Sequence, residues 1–77
     1  MKIADFIERF VEELEIEDTV VTVETNIKGL DEWDSMTAMI LIGFVSNEFK
    51  VTLNADDIKA LTTVQSLIER IGLEKFN

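Results

Sequence analysis

Ile3, Phe6, Ile7, Phe10, Val11 and Leu14 recur at steps of three and four residues, with Asp5, Glu8, Arg9, Glu12 and Glu13 between them. A period of about 3.6 residues puts those apolar side chains on one stripe and the charges opposite, so the spacing predicts an amphipathic first helix. The period then lapses from residue 16 to residue 34. "TVVTVET" has strand propensity, but no second run offers it a partner, and one strand alone is not stable. The segment therefore reads as an extended loop. A loop of that length in so small a chain has to be pinned down or functional. Ile27, Leu30 and Trp33 are the expected pins, with Gly29 at the turn.

Helical spacing resumes at Ser35. Ala38, Leu41, Ile42, Val45 and Phe49 share one face, and Met36, Ile40 and Phe44 follow one another at four-residue steps on the other. The predicted second helix runs from Ser35 to about Phe49. It is apolar nearly all the way round, which makes it central and touched by several neighbours. "VTLN" leads into a short helix near 55–60, with Asn54 as its cap and Asp56 and Asp57 in the first turn, where negative charge suits the helix dipole. In "TTVQSLIERIG", Thr62 and Gln65 resemble a capping box, Val64, Leu67, Ile68 and Ile71 form the stripe, and Gly72 is the stop. The expected fold is all-α: one domain over residues 1–77, a small bundle of three longer helices and one short helix, with a long loop between the first and second. There is no internal repeat or low-complexity segment.

Composition narrows the function. A 77-residue chain buries only about 60% of its unfolded surface, so the core is thin. An apolar fraction of 47% is nevertheless that of a globular protein. Sixteen acidic against seven basic residues leave a net charge of −9, which excludes nucleic acid as a partner and favours basic protein surfaces. Glu12, Glu13, Glu15, Glu17 and Asp18 are crowded, so their mutual repulsion should ease as salt is added. With no histidine and no cysteine, a Ser–His–Asp arrangement, a thiol nucleophile, a disulfide and a His- or Cys-ligated metal are all excluded. No other metal-ligand spacing is present. Lys28, Lys50 and Lys59 stand in polar surroundings, which do not suit a lysine to act as a base. The chain is not expected to be an enzyme, and any chemistry should belong to something attached or bound. "MKIADFIERF" intersperses charge with apolar residues and is not a signal peptide. The run from Met36 to Val45 has about half the length of a membrane span. A cytoplasmic monomer without membrane insertion is the expectation.

One hydroxyl stands out. In "DEWDSMTAMILIGF" an acidic loop meets the central helix at Ser35. A helix start, with its unpaired N–H groups and dipole, favours an anion, so a phosphate esterified there would be electrostatically welcome. Ser35, or Asp34 beside it, is equally a candidate N-cap.

"WDSM" at 33–36, opening the central helix behind an amphipathic first helix, and "EFKVTLNADDIKALTTVQSLIERI" at 48–71 together resemble the acyl carrier proteins and the wider phosphopantetheine-binding carrier family. Asp34, Ser35 and Met36 stand where that family has Asp-Ser-Leu or Asp-Ser-Met. Phe49, Val51, Asp56, Asp57, Thr63 and Val64 resemble its second half, and the likeness spans Ile3 to Ile71. The resemblance implies that Ser35 carries a 4'-phosphopantetheine arm, placed there from coenzyme A by a phosphopantetheinyl transferase. The arm's thiol would hold an acyl or aminoacyl group as a thioester between loading and transferring enzymes. Asp34 would help the transferase by binding its metal or orienting the serine, and the chain would work as a free-standing carrier.

The sequence also departs from that family's common pattern. No acid lies between Ser35 and Asn47; Thr37, Ile40, Ser46 and Asn47 stand where carriers of fatty-acid synthesis often have acids. Docking would then rest on Met36 and Ile40 (unless these are ordinary scattered surface residues), with Asp56 and Asp57 as the acidic contribution. That pattern suits a specialised lipid, polyketide, cell-envelope or aminoacyl pathway better than bulk fatty-acid synthesis. Ala38, Gly43 and Ala60 leave room for a chain beside the central helix, whereas Phe44 and Phe49 fill it, so cargo length stays open. The alternative function is a non-covalent helical interaction module in which Ser35 merely caps.

Overall fold

The structure is a computed structural model and describes residues 1–17 and 19–76. Four α-helices run in the order α1 (Ile3–Glu13), α2 (Ser35–Phe49), α3 (Ala55–Ala60) and α4 (Val64–Ile71). Single 3₁₀ turns lie at Ile27–Gly29 and Leu73–Lys75. Among the described residues there is no strand, only an isolated bridge between Asn26 and Thr63. "TVVTVET" is irregular, as a run without a pairing partner should be.

α1 buries Phe6 and Phe10 completely. Phe6 is the hub of an aromatic cluster: it stacks on Phe44 at 5.8 Å and meets Phe49 at 5.8 Å and Phe76 at 5.3 Å edge-on. Truncating so enclosed a ring costs about 3–5 kcal/mol, most of what a domain this small has in reserve. α1 ends in a Schellman motif. Ile16 N–H bonds the Val11 carbonyl at 3.1 Å and Glu15 N–H the Glu12 carbonyl at 3.3 Å, with Glu15 left-handed at φ 54°. Leu14 and Ile16 fold beneath the turn and are buried. The last turn carries no base, so Glu12, Glu13, Glu15 and Glu17 gather at the negative end of the helix dipole, which disfavours them. Arg9 relieves part of this, at 3.5 Å from Glu13 and 2.9 Å from Glu48. Asp18, counted in that acidic cluster, lies outside the described residues.

α2 has the predicted limits but not the predicted surround. Leu41, Phe44, Val45 and Phe49 are buried, while Met36, Met39 and Ile40 are 70%, 72% and 40% exposed. Each four-residue step overshoots a full turn by about 40°. Phe44 is therefore rotated well away from Met36 and turns inward onto Phe6. One side of α2 has no neighbour.

α3 has no fully buried residue; Ile58 packs partly against the core, and polar attachments add to it. Asn54 and Asp57 form a reciprocal capping box, at 2.8 and 3.0 Å. Asp57 accepts a bidentate pair from Arg70 of α4 at 2.8 and 2.9 Å. Lys28 Nζ donates to the Lys59 carbonyl at 2.6 Å. α4 buries the expected Val64, Leu67, Ile68 and Ile71. Its cap falls one residue later than the Thr62–Gln65 expectation: Thr63 Oγ1 accepts from Ser66 N–H, and Ser66 Oγ in turn accepts from Thr62 N–H. Gly72, at φ 119°, ends the helix in a conformation L side chains avoid. No described helix is long and apolar enough to cross a membrane.

Candidate functional site

The long loop is fastened by its own apolar residues and by the start of α4. Ile16, Val21, Ile27 and Leu30 are buried, and Trp33 is half-buried against the core. Three backbone bonds tie the loop to α4: Ile27 N–H to the Thr62 carbonyl at 2.8 Å, Val64 N–H to Thr25 at 3.0 Å, and Gln65 N–H to Val23 at 2.9 Å. The last two satisfy the amides of Val64 and Gln65 at the opening of α4, which have no helical partner of their own. The expected pins Ile27, Leu30 and Trp33 all serve. Gly29 lies in the 3₁₀ turn itself, its φ outside the left-handed region.

From Leu30 the chain turns sharply, with Trp33 N–H bonding the Leu30 carbonyl at 3.0 Å. It then reaches Asp34 in extended conformation, with φ −155° and ψ −173°. Asp34 is the N-cap of α2. Its Oδ1 accepts the Thr37 N–H at 2.8 Å and the Thr37 hydroxyl at 2.9 Å. These two donors, the amide first, hold the Asp34 carboxyl below the ordinary aspartate range, so it is ionised at neutral pH.

Ser35 is therefore the first residue of α2 rather than its cap. It is exposed, and among the described residues its hydroxyl makes no hydrogen bond. The two capping candidates thus divide the work: the carboxylate closes the helix and the alcohol is left for something else. A phosphate on Ser35 Oγ would sit over the first turn of α2, where the dipole favours it, and needs no movement of a core side chain. Asp31, Glu32 and Asp34 flank the position, so its counter-charge has to come from a partner.

Other expected site residues are placed as follows. Met36 and Ile40 are exposed on the open side of α2, one and five residues past Ser35. Asp56 is exposed at the first turn of α3. Asp57 is engaged internally with Asn54 and Arg70, which hold its carboxyl below the ordinary range, the Arg70 bonds being the larger cause. These four do not form one cluster with Ser35; Met36 and Ile40 alone share its helix.

Two residues escaped the sequence reading. Met39 is the most exposed member of the apolar face; its position three residues after Met36 and four before Gly43 marked it. Thr37 had been grouped with the surface positions of α2, yet it is the one polar side chain among the buried described residues. Its spacing of four and eight residues before Leu41 and Val45 was the available signal. Gly43, considered as a source of room for cargo, faces outward, with nothing within 4 Å of a Cβ built upon it. It sits on the open side with Met39 and Ile40.

The family model described as a phosphopantetheine attachment site matches residues 4–71. Neither the curated proteins nor the solved structures contain a significant match. The matched segment runs from α1 to the end of α4, and the chain belongs to the phosphopantetheine-binding family of acyl-carrier-protein type, whose domains carry acyl groups on a 4'-phosphopantetheine esterified to a serine and are not themselves catalysts.

Proposed function

We propose that Ser35 is the serine that bears the arm, and that the chain shuttles an acyl or aminoacyl group for a specialised biosynthetic pathway. The observation that carries the assignment is that Ser35 is exposed and unbonded at the first position of α2 while Asp34 takes over the capping. Ser46 and Ser66 are weaker candidates: Ser46 lies in the last turns of α2, near the negative end of its dipole, and the Ser66 hydroxyl is committed to the Thr62–Thr63 cap.

When bound, 4'-phosphopantetheine supplies a thiol at the end of a flexible tether, and that thiol holds the cargo as a thioester. The chain's own contribution is to hold an alcohol still and accessible. In loading, Ser35 Oγ forms a bond to the phosphorus next to the pantetheine half of coenzyme A. The bond between that phosphorus and the bridging oxygen of the diphosphate breaks, the adenosine half leaves, and the hydroxyl proton passes to the transferase. Asp34 beside it, ionised, is suited to a transferase metal ion or cationic side chain.

Partner enzymes meet the open side of α2. Met36, Met39 and Ile40 present a contiguous apolar strip next to Ser35, without an acid on α2 before Glu48. Docking there gains affinity from buried apolar area more than from charge, and exposed methionines adapt to differently shaped grooves. Asp56 adds a carboxylate from α3. A chain docking this way fits a dedicated pathway better than one whose enzymes read a row of acids. The protein is taken to act as a monomer in the cytoplasm, where its coenzyme A donor is found.

The test is mass spectrometry after incubation with coenzyme A and a broad-specificity phosphopantetheinyl transferase. Wild type should gain one phosphopantetheine and Ser35→Ala none, with the melt of the variant close to wild type because the hydroxyl bonds nothing. Modification of Ser35→Ala, or no modification of wild type by several transferases, overturns the assignment.

A further inference from the structure

Capping α2 requires from residue 37 only a backbone N–H, which any amino acid except proline supplies. Thr37 does more. Its hydroxyl lies 2.7 Å from the Glu32 carbonyl and 2.9 Å from Asp34 Oδ1, so one proton is shared between an acceptor in the turn and one at the cap. A valine of the same shape would keep the packing and lose these two bonds, leaving their acceptors without that donor. In the turn it reaches, Glu32 Oε1 is buried without a hydrogen-bond partner among the described residues, so that side chain adds no bond to hold the turn. The Thr37 hydroxyl makes the side-chain bond that ties this turn to α2, and Ser35 follows Glu32 in the chain by three residues. The Thr37 backbone is fixed from behind, on the same side of α2 as the buried Leu41 and Val45.

We propose that Thr37 is a positioning residue for the loading of Ser35. Its hydroxyl clasps the 32–34 turn onto the first turn of α2 and uses Asp34 Oδ1 inside the protein. Oδ2 is left outside the clasp for the transferase, and the backbone that presents Ser35 is held in place. This rests on Ser35 being the loaded serine. Thr37 touches neither the arm nor coenzyme A; it acts through Asp34 and the turn. Misplacement by about 1 Å in a group-transfer reaction costs up to roughly a hundredfold in rate, so loss of the clasp should appear mainly in turnover rather than in recognition.

The experiment compares wild type, Thr37→Val and Thr37→Ser as substrates of one transferase with coenzyme A. Initial rates are read by mass spectrometry over a range of carrier concentrations. On the same unloaded samples, NMR follows the Asp34 side-chain carboxyl titration and the hydrogen exchange of amides 32–36. Valine should lower kcat for loading about tenfold with KM within twofold of wild type. It should also raise the Asp34 pKa part of the way to the ordinary value, since the amide donor remains and the hydroxyl donor is gone, and speed exchange at 32–36. Serine should restore all three. Equal loading of wild type and Thr37→Val overturns the clasp and leaves Ser35 standing. A valine rate loss with the Asp34 titration and amide exchange unchanged, or a serine as slow as valine, also overturns it. A wild type that never loads brings down the Ser35 reading and this one together.

Discussion

Gly43→Ala should stabilise the protein. Glycine in a helix interior costs about 0.5–1 kcal/mol relative to alanine, because it gives up more backbone freedom on folding. That cost is normally accepted where a Cβ would collide or where φ is positive. Neither holds at Gly43: a Cβ would meet nothing within 4 Å, and its φ lies outside the left-handed region. The whole gain should therefore be realised. For a domain of this size 1 kcal/mol shifts the melting temperature by about 4–8 °C, so 0.5–1 kcal/mol corresponds to roughly 2–8 °C. The assay is urea and thermal unfolding followed by circular dichroism. The denaturation midpoint should rise with an unchanged dependence on urea, which would show that stability rose, chiefly through the lower entropy of the unfolded chain, while the surface exposed on unfolding stayed the same. A midpoint equal to or below wild type would refute the reasoning, since it would require a native obstruction that the open side of α2 does not contain. The same variant reports on docking. Gly43 flattens the strip formed by Met36, Met39 and Ile40. An alanine that raises the melt but weakens capture by partner enzymes would show that the glycine is kept for a close-fitting surface.

Two further outcomes follow from charge. Asp34 and Asp57 both have carboxyl pKa values lowered by folding, so their contribution is fully present above the unfolded carboxylate range and is lost as pH falls through the lowered values. The melting temperature should drop steeply once pH passes below about 4, and Arg70→Met should make that drop shallower; parallel profiles for the two proteins would exclude the Asp57–Arg70 pair as a source. The acidic cluster at the end of α1 should give a melting temperature that rises between low salt and about 0.2 M sodium chloride, because exposed like charges are screened within about a Debye length. A flat salt profile would mean that Arg9 and the spacing of the glutamates already relieve the repulsion.

Periodicity placed α1, α2 and α4, each with its own apolar repeat, and the Asn54 cap with its first-turn acids placed α3; Asn54 before α3 and Gly72 after α4 act within a few residues of themselves. The pins Ile27, Leu30 and Trp33 were legible for a related reason, since large apolar residues in a polar loop have nowhere else to go. The absence of histidine and cysteine argued against catalysis by the chain itself, and the tether at Ser35 came from the resemblance carried by "WDSM" and residues 48–71. What the sequence could not decide is which of several equivalent local choices survives packing. Asp34 and Ser35 were both able to cap α2, and the choice depends on the extended approach from the Leu30–Trp33 turn, which aims the carboxylate at Thr37. Thr62 and Thr63 were both able to cap α4, and the bonds of the Thr62 carbonyl, Val64 N–H and Gln65 N–H to the long loop select the later one. The apolar surround of α2 suggested neighbours on every side. In the structure Met36, Met39 and Ile40 remain bare. Local pattern says what a segment is able to bury; long-range contacts, with their sequence separations of thirty residues and more, say what there is to bury it against.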